Sequence, residues 1–193
     1  MQRRAFCSTL PAAAVAAAQR PRSRPNIVFI ISDDQNWRCL GAAGNPHIHT
    51  PHLDRLMQRG VYFPNAIIST PQCAPSRGIL LSGLEGYQNG LDSNGHTAFR
   101  GFTGQTVVEQ LRRAGYQTTL VGKWHIDPKP AAAGFTRAPL WMSPAATPYL
   151  DPPLHHGLDG AEQKTPGHIT DLFTDAAVAA VEQAKGPHFL WLA

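Results

Sequence analysis

The sequence predicts an α/β fold, a mainly parallel sheet flanked by helices. Three observations carry that prediction. Apolar runs rich in β-branched and aromatic residues, at 26–32 and 188–193, read as buried strands, the first covered on both faces as in a parallel sheet. Segments with helical start and stop signals alternate with such runs, and β/α alternation builds a parallel sheet covered by helices. The residues with the most chemistry, Asp33-Asp34 and Lys123 with His125, follow directly on predicted strands. The carboxyl ends of parallel strands are where α/β folds hold their ligands.

The elements follow in chain order. Strand 26–32 gives way to a loop rich in Gly, Asn, Pro and His. A short helix is expected next, with Thr50 as N-cap, Pro51 at its first position and Gly60 as its stop. Residues 61–68 read as a strand. Ala74 to Leu81 read as a helix with Cys73 at or just before its N-terminus, a position that favours developing negative charge. Thr106 to Ala114 read as an amphipathic helix capped by Gly115, and Tyr116 to Val121 as the strand after it. Residues 127–167 are rich in Pro, Gly and His and lack clear periodicity, so a long surface excursion beside the site is expected. Helix 170–184, capped by Thr170, leads into the last strand. There are no internal repeats.

Three places invite chemistry. Asp33 and Asp34 end the first strand; side chains alternate along a strand, so both reach one ion only if the chain bends as it leaves the sheet. Their hard oxygens favour calcium or magnesium over zinc. The competing reading is an exposed Asp-Asp turn. Cys73 opens the run Cys73-Ala74-Pro75-Ser76-Arg77-Gly78-Ile79-Leu80-Leu81-Ser82-Gly83; taken alone it could be a small buried cysteine at a helix start. Arg77 lies one helical turn on and can point back at the same site. Lys123 and His125, two apart beyond their strand, share a face if the segment is extended. A cation and an imidazole suit an anionic substrate and proton transfer, against a solvated lysine and a hydrogen-bonded histidine. His47, His49 and His52 cluster without any spacing that supports a tetrahedral zinc site. His96, His155 and His156 are secondary candidates for lining a substrate pocket, with solvated loop histidines the favoured reading.

Together, Arg24-Pro25-Asn26-Ile27-Val28-Phe29-Ile30-Ile31-Ser32-Asp33-Asp34-Gln35, the Cys73 run, and Gly115-Tyr116-Gln117-Thr118-Thr119-Leu120-Val121-Gly122-Lys123-Trp124-His125 resemble the type I sulfatases, in that family's order. The resemblance spans residues 24–125 and continues weakly through 170–193. Ser82 stands where Thr is more usual, and Ile126-Asp127 where Leu-Gly is common. The resemblance implies an alkaline-phosphatase-like α/β sandwich. It implies oxidation of Cys73 to formylglycine, whose hydrate is the nucleophile, because serine or cysteine would be trapped as a stable adduct. Calcium would be held by Asp33, Asp34 and an oxygen from position 73. Arg77 would steady the hydrate, Lys123 would contact sulfate oxygens, and His125 would help drive collapse of the hydrate. Pro75 and Ser76 would be recognised by a formylglycine-generating or sulfatase-maturating enzyme. The family also carries a second histidine, an Asp-Asn pair and another lysine beyond the last strand seen here. Residues 26–193 are therefore expected to be the N-terminal portion of a catalytic domain, inactive by itself.

Composition narrows the partners. The 193 residues carry a formal charge of +4, but five of the 17 basic residues (Arg3, Arg4, Arg20, Arg22 and Arg24) precede the first strand. The other twelve face thirteen acidic residues, and no Lys/Arg run with interleaved aromatics appears, which argues against nucleic acid. Arg3-Arg4-Ala5-Phe6, the apolar stretch Leu10 to Ala18 and the small-residue site Ala16-Ala17-Ala18 form a twin-arginine export signal over 1–18, with 19–25 as a linker. That stretch is too short for stable membrane insertion. A periplasmic or secreted protein is expected. The mature chain then keeps Cys39 and Cys73, and a Cys39–Cys73 disulfide would exclude the formylglycine reading. The leading reading is a sulfatase acting on sulfate esters, of carbohydrates in particular. The alternatives are a phosphonate or phosphate-diester hydrolase of the same superfamily, and a non-catalytic anion- or glycan-binding protein with an unmodified Cys73.

Overall fold

The computed structural model describes residues 24–95, 99–100, 106–143 and 146–193. Its strands are β1 (Ile27–Ile30), β2 (Gln117–Lys123), β3 (Arg137–Met142), β4 (Pro153–His156), β5 (Glu162–Lys164) and β6 (His188–Leu192). They form one sheet in the order β1-β6-β2-β3-β4-β5. β1, β6, β2 and β3 run parallel; β4 and β5 return antiparallel at the far edge. The mainly parallel sheet expected from the sequence is present, with the last predicted strand inserted between β1 and β2.

The helices are α1 (Pro51–Arg59), α2 (Cys73–Ser82), α3 (Gly86–Asn89), α4 (Val107–Arg113) and α5 (Ile169–Glu182). Period-two alternation along the strands separates two cores. Leu120, Trp141, Phe189 and Trp191 face the side of α2 and α4, where they pack with Leu81, Leu91 and Val108. Val121, Leu140, Met142 and Leu190 face the other side, covered by α5 through Ile169, Ala177 and Ala180. The result is a three-layer α/β/α arrangement.

Several expectations are corrected. β1 is not covered on both faces: Ile27 and Phe29 pack inward, while Val28 and Ile30 are exposed. Residues 61–68 are not a strand. Pro64-Asn65 turns the chain there, Ala66 donates to the Phe63 carbonyl, and Ile67 is left 92% exposed. Proline also lacks the N–H that a ladder needs. Residues 127–167 are no surface excursion, since they supply β3, β4 and β5 and bury Ala138, Leu140, Trp141, Met142 and Leu154. Pro139 hides β3 from a pattern reading, and the register against β2 shifts at that place, between Thr119 and Val121. Helix α5 is capped by His168, whose Nδ1 accepts from the Thr170 N–H, rather than by Thr170. At α1 the Thr50 hydroxyl makes no cap bond; it donates to Asp54 Oδ1 and accepts from the Gly41 N–H. Cys39 and Cys73 are both free thiols, so the disulfide reading is not realised.

The expected export signal at 1–18 and the pocket candidate His96 lie outside the described residues. Among the described residues no helix is long and apolar enough to cross a membrane.

Candidate functional site

The site gathers where β1 and β2 end beside the start of α2. β1 finishes at Ile30, Ile31 donates to the Leu192 carbonyl of β6, and the chain then leaves the sheet. Asp34 has φ +55°, the bend that two adjacent carboxylates need to present both side chains to one pocket. β2 runs two residues further than predicted, to Lys123, which is the last strand residue rather than one beyond it. Gly122, at φ +100°, permits a close approach to the Ala193 carbonyl, which takes the Lys123 N–H at 2.7 Å.

Asp33 is the hub. Its Oδ2 accepts a 2.9 Å hydrogen bond from Lys123 Nζ, its Oδ1 lies 3.9 Å from Arg77 Nη2, and the Cys73 thiol lies 3.9 Å from the same Oδ1. Cys73 is the first residue of α2, after Gln72 in extended conformation. Arg77, one turn along, is only 3% exposed and donates through Nη1 to the Lys123 carbonyl at 2.8 Å. Burial lowers the Arg77 pKa, opposed by the charges of Asp33 and Cys73. A guanidinium starts so high that it stays charged. Lys123 is 5% exposed. The buried cations Arg77 and Lys123 face Asp33, and Asp34 lines the same pocket, so two cations meet two carboxylates there.

His125 sits behind these groups, 7% exposed with φ +56°. Burial lowers its pKa, the Lys123 and Arg77 charges push it further down, and Asp33 opposes them. The imidazole is therefore held neutral, and its buried Nδ1 has no partner among the described residues. The positive φ means that Lys123 and His125 do not alternate as a regular extended segment would, although both lie within electrostatic reach of Asp33.

A cavity of about 840 Å³ opens onto this cluster, lined among others by Asp33, Asp34, Cys73, Arg77 and Lys123. Two more lining residues escaped sequence reasoning. Asn94 Oδ1 accepts from the Ala74 N–H at 3.1 Å, and the Asn94 N–H donates to Gln72 Oε1, so Asn94 braces the start of α2 from a separate loop. The turn-forming Ser93-Asn94-Gly95 was its only signal. Tyr149 also lines the cavity and carried no signal at all.

The other histidine candidates are placed elsewhere. His155 stacks on Trp141 with ring centroids 4.1 Å apart, and His156 Nε2 bonds Thr165 Oγ1. Neither lines the cavity. His52 pairs with Arg55. Among the described residues no group of three or more His, Cys, Asp or Glu side chains is arranged to hold a metal.

An α/β scaffold whose strand ends and helix N-terminus converge on a pocket with two cations, two carboxylates and a thiol has its pocket where such folds hold their ligands. The comparisons specify the family. The sulfatase family model matches residues 25–193, and the chain belongs to that family. It is 31% identical, over 95% of its length, to an N-acetylglucosamine-6-O-sulfatase of Bacteroides thetaiotaomicron, covering 35% of that protein. It is 38% identical, over 55% of its length, to the N-acetylgalactosamine-6-sulfatase of Homo sapiens, covering 22% of it. A solved protein in complex with its substrate D-glucosamine-2-N,6-O-disulfate superposes with a TM-score of 0.79 at 32% identity, over 88% of this chain and 34% of that one. The chain thus spans about a third or less of the length of these relatives. The fold is the alkaline-phosphatase-like α/β fold of the family.

Proposed function

We propose that the full-length protein hydrolyses sulfate esters of carbohydrates, with position 73 as its nucleophile. The observation that carries this is the convergence of Cys73, Arg77 and Lys123 on the one carboxylate of Asp33, at the floor of an open cavity. The names of the relatives support the ester and the sugar: two are amino-sugar 6-sulfatases, and the superposed protein is in complex with a sulfated glucosamine.

Oxidation of Cys73 to formylglycine by a maturation enzyme would supply an aldehyde, whose hydrate can attack sulfur through one hydroxyl and release sulfate through the other. The chain's own residues prepare that chemistry. Arg77 is fixed by burial and by the Lys123 carbonyl, so its charge cannot swing away from position 73. Lys123 places an ammonium where sulfate oxygens gather charge. His125, held neutral, can accept a proton from a hydroxyl at position 73.

Asp33 and Asp34 fit calcium in the kind of donor they offer, and would be two of the roughly six to eight oxygen ligands that calcium takes. Calcium there would act as a Lewis acid toward the ester. The twin-arginine sequence at residues 3 and 4 supports export to the periplasm or beyond.

The test is mass spectrometry of the tryptic peptide Gly60–Arg77 from the native protein, paired with turnover of matched sugar sulfate and phosphonate esters. An aldehyde at position 73 with sulfate turnover is expected. Preferred phosphonate turnover would move the protein to the sister activity, and an intact thiol without turnover would make it a binding protein.

A further inference from the structure

We infer that Tyr149 is the platform on which the sugar ring of the substrate lies, an inference that rests on the sugar-sulfate reading above. Lys123 of β2 and Arg77 of α2 line the cavity beside Asp33, and Ala146 and Tyr149 line the same cavity from a separate segment of the chain. Tyr149 is 72% exposed, and it lines the cavity that holds Asp33, Cys73 and Lys123.

Its backbone is fixed on both sides. The Tyr149 carbonyl accepts from the Ile169 N–H at 2.8 Å, Leu150 bridges His168, and Asp151 exchanges bonds with Gly167 through its N–H and its Oδ1. The ring is supported as well: it lies nearly parallel to His168, at 21° with centroids 6.0 Å apart, and His168 is itself fixed as the cap of α5. An aromatic held in this way loses little freedom when a ligand settles on it.

A pyranose has an apolar C–H face and polar edges. A rigid aromatic face, electron-rich at its centre, complements the first, and the cations of the cavity complement a sulfate carried on the edge. The site therefore takes a monosaccharide sulfate, or the sulfated end of a longer glycan, with sulfate toward Lys123 and ring toward Tyr149.

The experiment uses the full-length protein carrying Cys73→Ala, which can be neither matured nor turned over. Calorimetry would compare N-acetylglucosamine 6-sulfate with inorganic sulfate. Tyr149→Ala is expected to weaken the sugar sulfate about tenfold and leave inorganic sulfate unchanged, with Tyr149→Phe retaining the parent affinity. Tyr149→Leu keeps apolar volume without the ring, and is expected to behave as Tyr149→Ala does. Equal weakening of both ligands, unchanged sugar affinity in Tyr149→Ala, or no sugar binding by the Tyr149 protein would each overturn the platform. Turnover by protein with an intact Cys73 is read separately, so the sulfatase proposal and the platform can fail independently.

Discussion

Asp33 meets Lys123 of β2 and both Arg77 and Cys73 of α2, so the site's electrostatics turn on side chains whose burial differs sharply. His125 feels this most. After burial itself, Lys123 disfavours its protonation more than Arg77 does. Removing that charge with Lys123→Met should therefore raise the His125 pKa toward its ordinary value, which an NMR titration of the His125 ring protons would show. An unmoved or lowered value would mean that the two groups do not share a field. Asn94 acts on the same cluster through the backbone. Its Oδ1 satisfies the Ala74 N–H, one of the donors that a helix start leaves without an internal partner. Asn94→Ala should cost about 1 kcal/mol, in the range of a lost helix cap, measured by chemical denaturation of the full-length protein.

Elements bring these residues together through two strand ends and one helix start. The junction of β2 with β6 is the tightest point, because a Cβ on Gly122 would collide with the Ala193 carbonyl and φ there is +100°. Gly122→Ala should destabilise by about 2 kcal/mol or more and loosen Lys123, whose N–H is bonded to that carbonyl. Equilibrium denaturation checks the first effect and a raised Ki for inorganic sulfate the second; a variant as stable as the parent would show that the strands part easily. Helix α2 matters for what lies at its two ends. Cys73 opens it at the pocket, and Gly83, in the left-handed region, closes it with its N–H on the Ile79 carbonyl.

At the scale of the whole molecule, pH and calcium should both act on stability. His188 is buried in β6 with neither ring nitrogen partnered among the described residues, and burial, with a smaller contribution from Arg137, lowers its pKa. The unfolded chain then binds a proton before the folded one does. The stability is present above the ordinary histidine value of about 6.5 and is lost as pH falls from there through the lowered one. His188→Phe should flatten that acid-side loss in denaturation midpoints between about pH 7 and 5; an unchanged slope would assign the loss to other groups. If Asp33 and Asp34 hold calcium, a hundredfold excess over Kd should add about 2.7 kcal/mol to the stability of the full-length protein, and Asp34→Asn should abolish the gain. Much of this architecture was legible in the sequence. The apolar runs at 26–32 and 188–193, the helix start at Pro51, the stop at Gly115 and the three motifs gave the α/β class, the family resemblance and the residues that cluster, because periodicity and helix boundaries are local properties written in adjacent residues. What they missed was long-range. The placing of β6 between β1 and β2, the extension of the sheet through β3 to β5 past Pro139, and the meeting of Asn94 and Tyr149 with Cys73 were decided only by tertiary structure. Strand order and pocket walls depend on which surfaces bury one another across tens of residues, and no local pattern records that choice.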